Sequence, residues 1–341
     1  MLNDTRGAIL IPTALIMVVL LMVVGLAADT AIGGLTQRRL QAAADAAVVA
    51  GLVAARGGQG ESPAEVASSM LRGAGTPTWN AADPDRMQVS IDVERPNLLA
   101  FIGGARRIYV SAAAEIHAGK PLCLLALGPA NGPPWEGLDL RECGALSPAM
   151  GETGNLLRDS DPWRDFVFPP LPPCAEFRAT ISGEASRSAS AGTYHFCGGL
   201  SLRAGARLHL GPGIYAVSAG AFDIGDGARI EGSGLTILLY PGAAFSVAPG
   251  AMLDLQAAAD GLLIAAHPFS QAGARILANS DDRLMGSLHF PTQDIILSGV
   301  RSDCFQAVAR TIAVLQPLHL SNDCALLDPR RIRERRVRLT R

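Results

Sequence analysis

Leu200-Ser201-Leu202-Arg203-Ala204-Gly205-Ala206-Arg207-Leu208, Phe222-Asp223-Ile224-Gly225-Asp226-Gly227-Ala228-Arg229-Ile230 and Phe245-Ser246-Val247-Ala248-Pro249-Gly250-Ala251-Met252-Leu253 are three copies of one pattern. Each reads apolar-x-apolar, two residues, Gly-Ala, one residue, apolar. The marker glycines Gly205, Gly227 and Gly250 stand 22 and then 23 residues apart. A fixed period of that size is the signature of a solenoid. Alternation inside each copy means strands of only a few residues, and the glycine marks a turn made at little steric cost. Such a unit is one coil of a parallel β-helix. It cannot bury its own apolar face and must stack on its neighbours to do so. A β-sandwich with evenly spaced hairpins is the alternative. Leu262–Ala266 and Ile295–Gly299 read as further rungs, and Ile312–Val314 and Leu318–Leu320 as the last.

The chain of 341 residues has room for two domains and an anchor, and 49% of it is apolar. A formal net charge of −2 argues against a general nucleic-acid binder. Cys123, Cys143, Cys174, Cys197, Cys304 and Cys324 form three sequence-local pairs, 20, 23 and 20 residues apart. They make no CxxC and have no paired histidines, so a zinc site is not expected. Beside an export-type segment, an even count points to disulfides in an oxidising compartment, with 123–143, 174–197 and 304–324 as the expected pairing. Buried reduced thiols are the alternative.

Ala8–Ala28 is an uncharged apolar run long enough to span a bilayer as a helix. Arg6 precedes it in a very short head, and the expected topology leaves the N-terminus in the cytoplasm. A cleaved signal peptide competes, since Gly25, Ala27 and Ala28 permit cleavage. Asp29–Arg56 reads as an Ala-rich helix with an apolar face of Ile32, Leu35, Leu40, Val48, Val49, Leu52 and Val53. Ser62-Pro63-Ala64-Glu65 is a capping box that starts a second helix. Strict alternation at Met87–Val93 and at Ile108–Ile116 predicts two half-buried strands. The fold class is therefore mainly β: a transmembrane helix (1–28), a small α+β domain (29–118), a Pro-rich connection (119–173), a β-solenoid (174–328) and an Arg-rich tail (329–341). The Pro cluster Pro169–Pro173 reads as a stiff spacer. The tail can grip an anionic surface, or it can be a final edge strand around Arg336–Leu339 whose charges discourage pairing.

Arg6-Gly7-Ala8, Gly25-Leu26-Ala27-Ala28-Asp29 and the run RRLQAAADAAVVAG from Arg38 to Gly51 resemble the juxtamembrane signature of TadG-like proteins of the Flp (tight adherence) pilus-assembly group. Cys123-Leu124-Leu125-Ala126-Leu127-Gly128-Pro129, Cys143-Gly144, Gly192-Thr193-Tyr194, Cys197-Gly198-Gly199-Leu200, Leu210–Tyr215 and Leu288-His289-Phe290-Pro291 extend the resemblance over most of the chain. It implies a single-pass inner-membrane protein whose bulk is periplasmic, with a small pilin-like domain. It implies pilin-like and other pilus-machinery proteins as partners, and no cofactor or catalytic residue. Some relatives carry a metal-ion adhesion motif, Asp-x-Ser-x-Ser, which this sequence lacks. Pilin-like precursors tend to place Glu five residues after a cleaved Gly; here that residue is Pro12, which favours a retained anchor.

Arg38, Arg39, Leu40, Gln41 and Asp45 on the juxtamembrane helix are the expected partner contacts. No catalytic or metal-ligating residue is assigned. There is no Gly-x-Ser-x-Gly elbow and no Walker loop. The six histidines make no metal motif, and His209 and His319 should face outward. Parallel β-helices also host polysaccharide lyases and hydrolases. On that reading, a membrane-tethered enzyme acting on envelope glycans, Asp223, Asp226, Glu231 or Asp254 would cluster in a cleft. A third reading is a surface adhesin released by cleavage near Ala28. The favoured expectation is a non-enzymatic pilus-assembly component whose solenoid contacts protein or glycan.

Overall fold

The computed structural model describes residues 10–57, 65, 69, 76–83, 86–96, 104–128, 135, 138–147, 161–279, 282–324, 327 and 332–340. The chain divides into two units: residues 1–117 with 337–341, and residues 118–336.

In the first unit one helix, α1 (Leu10–Gly57), runs unbroken for 48 residues. The apolar run and the Ala-rich helix that follows it are thus a single rod, about 72 Å long at 1.5 Å per residue. Leu15–Val24 and Leu26 are all exposed. Further on, Leu40, Ala44, Ala47, Val48 and Leu52 are buried, at the 3–4-residue spacing of one helical face. That stripe lies on a three-stranded antiparallel sheet of β1 (Thr76–Asp83), β2 (Arg86–Pro96) and β3 (Ala105–Ala126). The sheet supplies Met87, Val89, Ile91, Ile108, Val110, Ala112, Ala114 and Ile116. The small Ala44 and Ala47 side chains let the helix settle close to it. Leu35, expected on this face, is 56% exposed. The Ser62 helix lies outside the described residues apart from Glu65 and Ser69.

The second unit is a parallel β-solenoid of about eight turns, with three flat faces. The three sequence copies superpose coil on coil. Leu200, Phe222 and Phe245 are register partners on one face, and so are Leu202, Ile224 and Val247. Leu208, Ile230 and Leu253 align on the next face. All nine side chains point inward and are buried. The corner between the faces is built alike in each copy. Ala206 donates its N–H to Arg203 C=O, Ala228 to Gly225 and Ala251 to Ala248. Along the stack, Gly205 N–H donates to Gly227 C=O at 3.1 Å, and Gly227 N–H to Gly250 C=O at 3.0 Å. The marker glycines of the sequence are therefore bonded to one another.

The order of coils in space departs from the order in sequence. The stack begins with β6 (Glu176–Ile181) and β7 (Ser186–Ala189), which follow β4 (Leu138–Arg141) and β5 (Gly144–Leu146) in the chain. It continues through β8 (Gly192–Leu202) and successive coils to Phe305–Val314 and Leu318–Ser321. The next coil is made from earlier sequence. Leu124–Ala126 at the end of β3 pair with Ala307–Ala309, and β4 pairs with Leu318–Ser321. Strand β5 then pairs with β3. The Pro-rich segment read as a connection thus supplies the final coil.

Residues 161–173 lie along the outside of the solenoid as a strap. Asp161 Oδ2 lies 3.0 Å from His289 Nε2, and the two side chains are only 2% and 4% exposed. Trp163 packs on Ala216, Leu238, Leu262 and Ala265, residues from three successive coils. Tyr240 donates its hydroxyl to Pro169 C=O, and His195 Nδ1–H donates to Pro172 C=O at 2.8 Å. The proline cluster is therefore a strap bonded to one face rather than a free spacer. The outward row beneath it, His195, Ala216, Leu238, Ala265 and His289, is one register line across five coils.

All three expected disulfides are formed, Cys123–Cys143, Cys174–Cys197 and Cys304–Cys324. Each spans about one coil and links neighbouring coils near an end of the stack. A closed loop of that size is worth about 3 kcal/mol in the chain-entropy account, a large share of a typical ~5–15 kcal/mol net stability. The arginine run is divided between the units. Ile332 packs with Leu122, Leu125, Leu146 and Val308 in the second, while Val337 of the strand Arg333–Thr340 packs on the core of the first.

Two glycine substitutions separate close approach from turn conformation. A Cβ on Gly213 would lie 1.9 Å from Gly192 O, whereas one on Gly227 would meet nothing nearer than 3.9 Å. Gly213→Ala should therefore abolish cooperative unfolding of the solenoid. Gly227→Ala, at φ +71°, should cost only about 1–2 kcal/mol. Near-UV circular dichroism during thermal denaturation checks both, and equal effects would contradict the close coil-to-coil packing.

Candidate functional site

Residues carried to the surface by α1 form the first candidate. Arg38 and Arg39 are exposed, while Leu40 turns into the core and is unavailable to a partner. Gln41 and Asp45, one turn apart, are half-buried. Gln41 Nε2 donates to Asp45 Oδ1 at 2.8 Å and to Ser111 C=O at 3.0 Å, which ties the helix to the sheet. Both line an open cavity of about 590 Å³ with Arg86, Gln88, Ser111, Leu339 and Thr340. Four of the five expected partner residues are thus at or beside the surface. The cavity itself could not be read from sequence, because its walls come from both ends of the chain.

The candidate carboxylates do not converge. Asp223 points outward from one face, 3.4 Å from Ser201 Oγ and 4.0 Å from Arg203. Asp226 sits in the following corner. Glu231 and Asp254 are register neighbours on the next face, where Glu231 meets Arg229 at 3.1 Å and His209 at 3.6 Å. These acids are half-buried (Asp223, Glu231) or exposed (Asp226, Asp254) on two faces and a corner. No metal-binding group of three or more His, Cys, Asp or Glu occurs among the described residues. His209 and His319 face outward, as expected. His289 and His195 do structural work beneath the strap, and nothing in their local sequence marks this.

The open first coil is the second candidate. It has strands on two faces, β6 and β7, while on the third face, Gly192–Cys197, only the far end is paired, Glu176 and Phe177 with Phe196 and Cys197, and among the described residues no strand lies beside Gly192–Tyr194. The solenoid interior therefore opens there into a cavity of about 320 Å³. Ile181, Phe196, Leu200 and Leu208 form its apolar wall, and Glu176, Arg187, Ser188, Ser190 and Tyr194 its rim. Tyr194 stacks on Tyr215 of the next coil, centroids 5.5 Å apart and rings 4° from parallel. Arg187 and Glu176 form a two-pronged pair at 2.8 and 2.6 Å.

The chain matches no family model, no curated protein and no solved structure.

Burial, and then the neighbouring Tyr194, push the Tyr215 phenol up to about 12 from 10.0. Its hydroxyl donates to Gly211 C=O at 2.7 Å. A phenol raised in the folded state favours folding below the unfolded value, and that contribution is lost as pH rises towards the folded value. Unfolding free energy measured by urea titration should therefore fall between pH 10 and 12. Tyr215→Phe should cost about 1 kcal/mol at pH 7 and flatten that alkaline decline. An unchanged slope would contradict it.

Proposed function

We propose that this chain is a non-enzymatic structural or assembly component of a Flp (tight adherence) pilus system. In this reading α1 anchors it in the inner membrane, with the N-terminus in the cytoplasm and the solenoid in the periplasm. Partners are pilin-like and other machinery proteins, met through the juxtamembrane part of α1. The solenoid is a stiff surface for protein or glycan contact.

The observation that carries this is the division of labour along one helix. α1 is long and apolar enough to cross a membrane. Its first half presents Leu15–Val24 and Leu26 to the surroundings, an apolar surface suited to lipid. Its second half is docked on a sheet and holds Arg38 and Arg39 outward beside the Gln41–Asp45 cavity. A continuous helix ties whatever binds at Arg38 and Arg39 to the bilayer at a fixed height. The three disulfides fit an oxidising compartment. The separation of Asp223 from Glu231 and Asp254 favours assembly over glycan cleavage.

Ala46→Pro would break the helix, but Ala44 and Ala47 beside it are core residues, so contact and fold would be lost together. Arg38→Glu with Arg39→Glu is cleaner. Both are exposed, and stability should change by less than about 0.5 kcal/mol. Electron microscopy of cells carrying the double variant should show loss of pili at normal protein levels. Normal piliation, or loss of a polysaccharide-cleaving activity in Asp254→Asn, would reject the proposal.

A further inference from the structure

The cavity at the open first coil has the chemistry of a ligand site. Its base is a ring ladder cut short. The Tyr194 ring has Tyr215 against one face, and its other face looks towards the coil position beside Gly192–Tyr194 that no strand among the described residues fills. A ligand with a flat apolar face continues that ladder where the protein stops. Phe196, Leu200, Leu208 and Ile181 remove the same face from water.

The rim selects for polarity without charge. Glu176 and Arg187 satisfy each other as an ion pair, so the rim carries little net charge there. The pair still has spare capacity. A carboxylate offers about four lone-pair sites and a guanidinium five N–H groups, of which this pair uses two each. The Ser190 and Tyr194 hydroxyls lie 2.8 Å apart and share one hydrogen bond, which leaves one proton and further lone pairs for a ligand. Donors and acceptors are thus interleaved around an apolar base, the complement of neighbouring hydroxyls on a ring.

An added peptide strand fits less well. The Cys174–Cys197 disulfide and the Ala175 N–H to His195 C=O bond already close one end of the edge. Glu176 pairs with Phe196 beyond them. Only Gly192–Tyr194 remain open. Gly192 N–H is turned inward to Pro212 C=O, so by alternation Thr193 alone directs its backbone groups outward.

We propose that this end cavity binds one neutral sugar ring of a glycan, with Tyr194 as the stacking platform and Glu176, Arg187 and Ser190 as hydroxyl partners. The proposal rests on the reading of the solenoid as a contact surface. It is scored by sugar affinity and the Arg38/Arg39 variants by pili, so the two fail separately.

The test is saturation-transfer NMR and titration of the full chain in a phosphocholine detergent, which carries no sugar. The probes are cellotetraose, chitotetraose and an extended pentapeptide. Wild type should bind at least one tetraose saturably, with saturation transferred to ring C–H protons. Tyr194→Leu, which keeps an apolar side chain, should weaken binding by about tenfold or more. Glu176→Gln and Arg187→Gln, at the exposed rim, should weaken it several-fold with the melting temperature unchanged. These rim variants decide the matter if Tyr194→Leu lowers the melting temperature. No saturable binding of either tetraose overturns the proposal, as does binding indifferent to the rim variants. Pentapeptide binding that the same substitutions abolish would make the cavity a strand site and also overturn it.

Discussion

Every coil of the solenoid depends on backbone hydrogen bonds to the coil above and below. Outside its corner turns a parallel coil makes no backbone bonds within itself, so the N–H and C=O groups of its strands are satisfied by neighbours about 4.7–4.9 Å away. That spacing sets the other requirements. Inward side chains stack on their equivalents, which is why apolar positions recur in register. Corners must turn sharply between strands, with Gly205 at φ +80° and Gly227 at φ +71°, and Gly205, Gly227 and Gly250 line up along one edge. The two ends must be closed by other means. At one end the closure is a coil borrowed from earlier sequence together with the Cys123–Cys143 bond. At the other it is Cys174–Cys197, and it is partial.

The strap answers a second constraint. One face carries an outward row that is largely apolar, and such a face cannot be left to water over five coils. The return segment covers it with Trp163, Phe166, Phe168 and the prolines. Prolines suit the task because they lie along a surface without asking the sheet for N–H partners. Its polar fastenings join buried Asp161 to buried His289 and the Pro172 C=O to buried His195. The return path and the final coil belong together, since a chain that closes the far end first must travel back to begin the stack.

The solenoid was legible in the sequence because its middle coils keep a near-constant length, so periodicity survives as spacing. The disulfides were legible for the same reason: a separation of 20–23 residues is one coil. Legibility failed where spacing broke. Phe245 pairs with Ala274, 29 residues on, and Ile295 with Ile312, only 17 on. The coil from Leu122 to Leu146 was hidden because a repeat search takes neighbours in space to be neighbours in sequence. On α1 an apolar count favoured Leu35 and passed over Ala44 and Ala47, although close packing on a sheet rewards small side chains. Arg38, Arg39, Gln41 and Asp45 were singled out as expected partner contacts through family resemblance, whereas the end cavity needed the fold, since its defining feature is a stretch, Gly192–Tyr194, with no strand beside it among the described residues.

These elements meet in a single functional claim, that α1 is both the membrane anchor and the contact surface for pilus proteins. Site-specific photocrosslinking from membranes tests it most directly, with the reactive residue placed at exposed Arg39 and, as the internal control, at buried Leu40. The account predicts capture of pilus-machinery subunits from position 39 and none from position 40. No capture at 39, or equal capture from both positions, would contradict it.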